Sequence, residues 1–177
     1  MAISGPVCAG KSVLAAGLRS VVGARILTTR LLIADHLGRD PDELTRGELQ
    51  KAGEELDEER GGAWVAERTE ELAGEEGGLL VVDAIRNHHQ LVALREEGSA
   101  LHVHLTADPN VLGHRYAERS RNNPQLEFPD LESVRANPTE ARVEGLSLFA
   151  DLELDTGVMD ANDVLGAVLE VLARGAP

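Results

Sequence analysis

Eight residues near the start of the chain, Gly5-Pro6-Val7-Cys8-Ala9-Gly10-Lys11-Ser12, fit G-x-x-x-x-G-K-[ST], the P-loop pattern whose backbone N–H groups cradle phosphates. Glycine at positions 5 and 10 leaves room for the backbone to wrap an anion. A helix starting at Lys11 aims its positive end at the same point. Gly5, Cys8, Ala9, Gly10, Lys11, Ser12 and Val13 are therefore the candidate nucleotide contacts. Lys11 would reach the β- and γ-phosphates, and the Ser12 hydroxyl would sit on Mg²⁺. The bland alternative is a chance glycine-rich turn. Context argues against it: the apolar stub Ala2-Ile3-Ser4 precedes the loop, and a helical pattern follows, with Val13, Leu14, Leu18, Val21 and Val22 expected on one face.

Asp83 closes the apolar run Leu79-Leu80-Val81-Val82. A carboxylate at that strand end would lie near Mg²⁺ and the reactive phosphate, and is the second candidate metal contact beside Ser12. The competing reading is an ordinary capping aspartate. Arg86, three residues on, projects from the strand edge where open α/β sheets bind ligands, placed to clamp an acceptor's phosphate. Arg30 stands in a similar relation to the second strand, balanced against a surface ion pair. Arg115 and Arg119 are i and i+4 on one helix face, with Arg121 just beyond. Such a cluster can close over a transferring phosphoryl group and neutralise its charge; a solvated face paired with Glu118 is the alternative. Neither His88-His89 nor His102 and His104, which face one side of a strand, has partners at metal-ligand spacing.

The elements that must position these residues alternate. Strands are expected at 2–4, 24–28, 79–83, 100–106 and 151–154. Helices are expected after the P-loop to Gly23, from Arg30 to Leu37, twice within 44–73 around Gly61-Gly62, from Asn87 to Glu97, after Asp108-Pro109, from Arg142 to Phe149, and from Asp160 to Arg174. Thr45-Arg46-Gly47-Glu48 offers a capping-box start. Residues 120–139, with prolines at 124, 129 and 138, read as a polar loop with little regular structure. Alternation of this kind gives an α/β fold with a mainly parallel sheet. The two polar excursions, 38–76 and 115–142, are expected to be functional.

The chain has 177 residues, 42% hydrophobic but 2% aromatic, so one domain with a Leu/Val/Ile/Ala core is expected. A net charge of −14 argues against nucleic acid or an anionic membrane as partner. Lysine occurs only at 11 and 51, which leaves arginine, the better bidentate phosphate ligand, as the main cation. Cys8 is the single cysteine, so no internal disulfide forms and a cytoplasmic location is expected. No signal peptide or membrane-length apolar run is seen.

Several stretches resemble the nucleoside/nucleotide monophosphate kinase-like branch of P-loop kinases, near dephospho-coenzyme-A kinases and deoxynucleoside monophosphate kinases. Thr45-Arg46-Gly47-Glu48-Leu49-Gln50-Lys51-Ala52-Gly53, with Trp64-Val65 later, is similar to the branch's T-R-x-x-L-Q-x-x-G and W-V. Val81-Val82-Asp83-Ala84-Ile85-Arg86-Asn87 resembles V-V-D-G-I-R-N/S, Ala107-Asp108-Pro109 with Arg115 and Arg119 its passage to a lid, and Ala150 to Leu154 its A-D-x-x-I. The resemblance implies a three-layer α/β/α domain with a five-stranded parallel sheet in 2-3-1-4-5 order, an acceptor-binding insert at 38–76 and a lid at 115–140. It implies acceptor contacts from Arg46, Gln50 and Arg86, with Arg30 a further candidate, and catalytic roles for Lys11, Asp83, Arg115, Arg119 and Arg121. The expected activity is transfer from ATP, with Mg²⁺, to a nucleoside or deoxynucleoside monophosphate, giving the diphosphate. The alternatives are a kinase for another small molecule such as dephospho-coenzyme A, or a non-catalytic ATP-sensing module. The expected partner is a small-molecule nucleotide, for a monomer or homodimer. Ala84 in place of Gly, and His88-His89 in place of the commoner Pro/Glu pair, depart from the pattern beside Arg86.

Overall fold

The computed structural model describes residues 1–73, 78–83, 85–98, 100–122 and 130–175. The five apolar runs form the parallel strands β1 (Ala2–Ser4), β2 (Arg25–Thr28), β3 (Leu80–Asp83), β4 (His102–Thr106) and β5 (Leu152–Asp155). Their order is β2-β3-β1-β4-β5, the order the sequence predicts. Nine helices connect and cover them among the described residues: α1 (Lys11–Val22), α2 (Thr29–Leu37), α3 (Arg46–Arg60), α4 (Ala63–Ala73), α5 (His88–Glu97), α6 (Pro109–Asn122), α7 (Leu131–Arg135), α8 (Pro138–Gly145) and α9 (Ala161–Ala173). Among the described residues no helix is long and apolar enough to cross a membrane.

The sheet is buried on both faces, which is why β3 is a continuous apolar run rather than an alternating one. Successive residues still point to opposite sides. Ile3, Val81, Val103 and Leu154 join Leu14 and Leu18 of α1 and Val164 and Val168 of α9 in one cluster. Ala2 and Val82 join Leu32, Trp64, Val65 and Leu91 in another, built with α2, α4 and α5. The result is three layers.

The helix boundaries come from local chemistry. Thr45 and Glu48 form the expected capping box at the start of α3: Thr45 Oγ1 accepts from Glu48 N at 3.2 Å, and Glu48 Oε2 accepts from Thr45 N at 2.9 Å. The break between α3 and α4 falls at Gly61-Gly62, where the chain needs more than flexibility. Gly62 has φ +89°, and a Cβ there would lie 2.6 Å from His89 C and Gln90 N, so only glycine lets the insert pass this close to α5.

Two expectations need correction. On α1 the buried residues are Leu14, Ala15 and Leu18, whereas Val13, Val21 and Val22 are exposed. At 100° per residue Val13 is turned off the Leu14–Leu18 stripe, and the two valines of the last turn stay outside the core. The polar stretch 120–139 is also more regular than expected. The α6 helix runs to Asn122, and α7 and α8 begin at Asp130 and Asn137, whose side chains accept from Ser133 N and Thr139 N. Pro138, read as a breaker, occupies the first helical turn, where its fixed φ is favourable. Residues 123–129 of the expected lid lie outside the described residues.

Candidate functional site

The P-loop joins β1 to α1, and its conformation follows from its residues. Gly5 has φ +137°, and a Cβ there would lie 2.2 Å from Leu105 O, so the chain leaves β1 pressed against the β4 backbone. Cys8, at φ +65°, is the non-glycine residue with positive φ among the described residues, and its carbonyl accepts from Arg115 Nη1 at 3.3 Å. Gly10, also left-handed, caps α1 without a side-chain hydrogen bond, leaving the helix's positive end for an anion. Lys11 Nζ donates to Gly5 O at 2.6 Å and Pro6 O at 2.8 Å, holding the ammonium across the loop. Burial lowers its pKa to about 8, with Arg86 adding to the drop while Asp83, Glu140 and Cys8 oppose it.

Above this loop lies a cavity of about 980 Å³. Cys8, Gly10, Lys11, Ser12 and Val13 line it from the P-loop, Arg30 and Gln50 from α2 and α3, and Arg86 from the strand edge. These expected residues therefore share one cavity. Gly5 and Ala9 are buried and are not part of the cavity wall. Asp83 is buried at the end of β3, in register with Ile3 and Thr28; it acts on Lys11 through its charge rather than as a wall residue. Arg30 donates to Pro41 O (2.8 Å) and Leu44 O (3.1 Å), so it also fixes the turn leading into the insert. Gln50 Nε2 donates to Glu54 Oε1 at 3.1 Å. Arg46 begins α3, but its side chain lies outside the described residues.

The α6 arginines separate. Arg115 bonds to Thr156 Oγ1 (2.9 Å) and Thr156 O (2.6 Å) as well as to Cys8 O, which ties the P-loop to the turn after β5. Arg119 is an exposed side chain in the cavity wall, and Arg121 is exposed and outside that wall.

Sequence reasoning missed a polar hub in the wall of the same cavity. Asp57 accepts from Trp64 Nε1 (2.7 Å), Asn87 Nδ2 (2.6 Å) and Gln90 Nε2 (3.1 Å). Because the Gln90 amide nitrogen donates to a carboxylate, its Oε1 is left to accept from Arg86 N at 2.9 Å. The insert thereby holds the Arg86 backbone. Glu140 of α8 was missed as well. It is buried, and its Oε1 accepts from Arg86 Nη1 at 3.3 Å. The N-cap and N1 proline of Asn137-Pro138 were the available signal for α8. The wall is completed by Thr156, Met159 and Asp160 between β5 and α9.

The strand histidines are structural. Ser4 Oγ lies 2.7 Å from both His102 Nε2 and His104 Nδ1, and His102 Nδ1 lies 3.0 Å from Phe149 O. A carbonyl only accepts, so His102 Nδ1 carries the proton. Ser4 then donates to His102 Nε2 and accepts from His104 Nδ1–H. Burial is the main reason both rings stay neutral, and it brings His104 to about 4, with His102 and Lys11 contributing. Among the described residues no group of three or more His, Cys, Asp or Glu could hold a metal.

The family model described as "AAA domain" matches residues 1–139. No curated protein matches the chain. Among solved structures it is similar to a sugar kinase from Janibacter sp. HTCC2649 (16% identity, 99% of this chain and 94% of that one, TM-score 0.63). It is also similar to shikimate kinase from Aquifex aeolicus (18%, 99% and 96%, 0.55) and to a Bacillus subtilis protein in complex with phosphorylated GDP (17%, 97% and 94%, 0.58). At these identities the likeness shows a shared P-loop kinase fold.

Proposed function

This chain belongs to the AAA domain family, and from that premise we propose that it is an ATP-dependent phosphotransferase acting on a nucleoside or deoxynucleoside monophosphate. The supporting observation is that one cavity is lined by the P-loop residues Lys11 and Ser12 together with Arg30, Gln50 and Arg86. A donor cradle thus shares a cavity with cationic and amide groups suited to a phosphorylated acceptor. We take residues 1–177 as one kinase domain, with an acceptor-binding insert at 38–76 and a lid at 115–140, cytoplasmic, and a monomer or homodimer.

Mg²⁺ fits the chain's donors: Ser12 offers a hydroxyl and Asp83 a carboxylate, both hard oxygen ligands. One hydroxyl and one carboxylate suit a cation held mainly by phosphates and water. When bound, Mg²⁺ supplies charge neutralisation at the phosphates. The protein's part is positioning. The P-loop amides and the α1 end bind the triphosphate. Lys11 exchanges its contacts to Gly5 O and Pro6 O for phosphate oxygens and stabilises charge on the migrating group. Asp83 offsets the Lys11 charge from below. Arg86, with Arg46 and Gln50, orients the acceptor, and Arg119 screens the open side, with Arg121 as a second lid cation. Arg115 holds the loop in its binding shape. Exclusion of water would limit ATP hydrolysis.

A non-nucleotide acceptor is the second reading. Its support is that, among the described residues, the aromatic side chains of the cavity wall, Trp64 and Tyr116, are 1% and 3% exposed, leaving little ring surface to stack on a base. A coupled assay over nucleoside monophosphates, deoxynucleoside monophosphates and dephospho-coenzyme A separates these readings. Rapid transfer to one or a few monophosphates is expected, with Arg86→Ala raising acceptor KM at least tenfold and Lys11→Ala abolishing transfer. Turnover only with a non-nucleotide favours the second reading. Tight ATP binding without any acceptor would make the protein an ATP sensor.

A further inference from the structure

We infer that Asp57, carried by α3 of the insert, is the positioning residue for Arg86. Its carboxylate fixes the direction of two side-chain amides and through them holds the Arg86 backbone, so that the guanidinium can meet the acceptor's phosphate. This rests on the kinase reading above, and it concerns a residue that the P-loop pattern does not point to.

Arg86 needs such a hold because regular structure stops around it. Ile85 N still donates to Ile3 O of β1 at 3.1 Å, and α5 starts only at His88. The Arg86 N–H falls between ladder and helix, where Gln90 Oε1 accepts it at 2.9 Å. Gln90 is 2% exposed, so its amide depends on protein partners. Asp57 sets the direction of that amide. A carboxylate only accepts, so Gln90 presents Nε2 to Asp57 Oδ1, at 3.1 Å, and its carbonyl end is left for Arg86. Asn87 is oriented in the same way. Its Nδ2 donates to Asp57 Oδ2 at 2.6 Å, and its Oδ1 accepts from Gln90 N, capping α5. The carboxylate is itself held by the buried Trp64, whose Nε1 donates to Oδ1 at 2.7 Å.

An amide at position 57 would not do the same work. In Asp57→Asn the remaining oxygen can accept from Trp64 and Gln90, but an NH₂ group then faces Asn87 Nδ2. The conflict is relieved if Asn87 turns, and α5 then loses its cap. It is also relieved if the new amide turns, which sets a donor against Trp64 Nε1 and Gln90 Nε2. Should Gln90 turn in response, its own Nε2 is aimed at Arg86 N. Each of these loosens the turn from 86 to 90. The bond directions also single out a cure. With Asn87→Asp added, the amide at 57 donates to the carboxylate at 87, whose other oxygen still caps α5. The contact returns with donor and acceptor exchanged.

The test uses the full chain with Mg²⁺ and a saturating non-hydrolysable ATP analogue, which fills the P-loop, and titrates inorganic phosphate by calorimetry. Asp57→Asn should weaken phosphate binding about tenfold, and Asp57→Asn with Asn87→Asp should return it to within about threefold of wild type. Gln90→Met leaves Asp57 its bonds to Trp64 and Asn87 but releases the Arg86 N–H. It should reproduce the loss, and it carries the test if Asp57→Asn fails to fold. Arg86→Ala should weaken phosphate at least as much. Asp57→Asn placed on Arg86→Ala should take away nothing further, because the group it positions is gone, whereas a merely structural defect would add to the loss. If Asp57→Asn or Gln90→Met leaves phosphate binding unchanged, if the loss persists on Arg86→Ala, or if the exchange with Asn87 restores nothing, Asp57 does not position Arg86. Failure of the analogue to bind wild type would overturn the kinase reading and this proposal together. Analogue binding without phosphate binding in wild type would leave the donor half standing and overturn this proposal.

Discussion

Ser4 sits between two buried imidazoles at the base of the P-loop, and burial disfavours charge on both rings. That gives a pH prediction. An unfolded histidine titrates near 6.5, whereas burial holds His104 near 4. A depressed basic pKa means that stability is full above the unfolded value and is lost as pH falls from about 6.5 towards 4, by a total on the order of 3 kcal/mol. Urea midpoints across that range should fall in the wild type and fall less steeply in His104→Asn, which keeps a donor for Ser4 but has no proton to gain. Parallel slopes would show that His104 is not the group responsible. The histidine spacing was visible in the sequence. The serine between the rings was not, because Ser4 and His104 become neighbours only when β1 and β4 pair.

At the scale of elements, caps were the most legible feature. Thr45-x-x-Glu48 forms the capping box expected of it, and the structure adds Asn87 and Asp160 as caps of α5 and α9, since capping is settled within four residues. The α7 helix was missed, and α8 begins at Pro138 rather than at the expected Arg142, because proline weighed more than the Asp130 and Asn137 caps. The Gly61-Gly62 break was legible as a break, but its two glycines do different work. A methyl group at Gly61, where φ is +59°, would meet nothing within 4 Å, whereas one at Gly62 would press on the α5 backbone. Gly61→Ala should therefore cost about 1 kcal/mol, the left-handed penalty alone. Gly62→Ala should cost more than about 2 kcal/mol, because backbone must shift as well. Denaturant unfolding of the two variants compares them, and equal losses would mean that the close approach of α3–α4 to α5 is unimportant.

Over the whole molecule, an acidic chain of net charge −14 gathers Lys11, Arg30, Arg86, Arg115 and Arg119 around one cavity. The fold thus sets a local anion site against an acidic background. If that site binds ATP with Mg²⁺, a nucleotide concentration 100 times its Kd should add about 2.7 kcal/mol of stability, a rise of roughly 5 to 10 °C in Tm for a chain of this size. Lys11→Ala should erase most of the shift, measured against the Tm of the same variant without nucleotide. An equal shift in that variant would remove Lys11 from phosphate binding.

The sequence by itself determined the P-loop, the five strands and their order through the resemblance, most helix ends, and which strand edge carries Asp83 and Arg86. All of these depend on short-range pattern: residue spacing, turn chemistry and apolar periodicity act within a few positions. Only the tertiary structure decided which side chains meet across the sheet and the cavity. It sends Arg115 to Thr156, links Asp57 to Arg86 through Gln90, and sets Glu140 against Arg86. Apart from the Arg86–Gln90 step, those partners lie between 33 and 54 positions apart in sequence, and no local propensity encodes a distance that appears only when two layers pack.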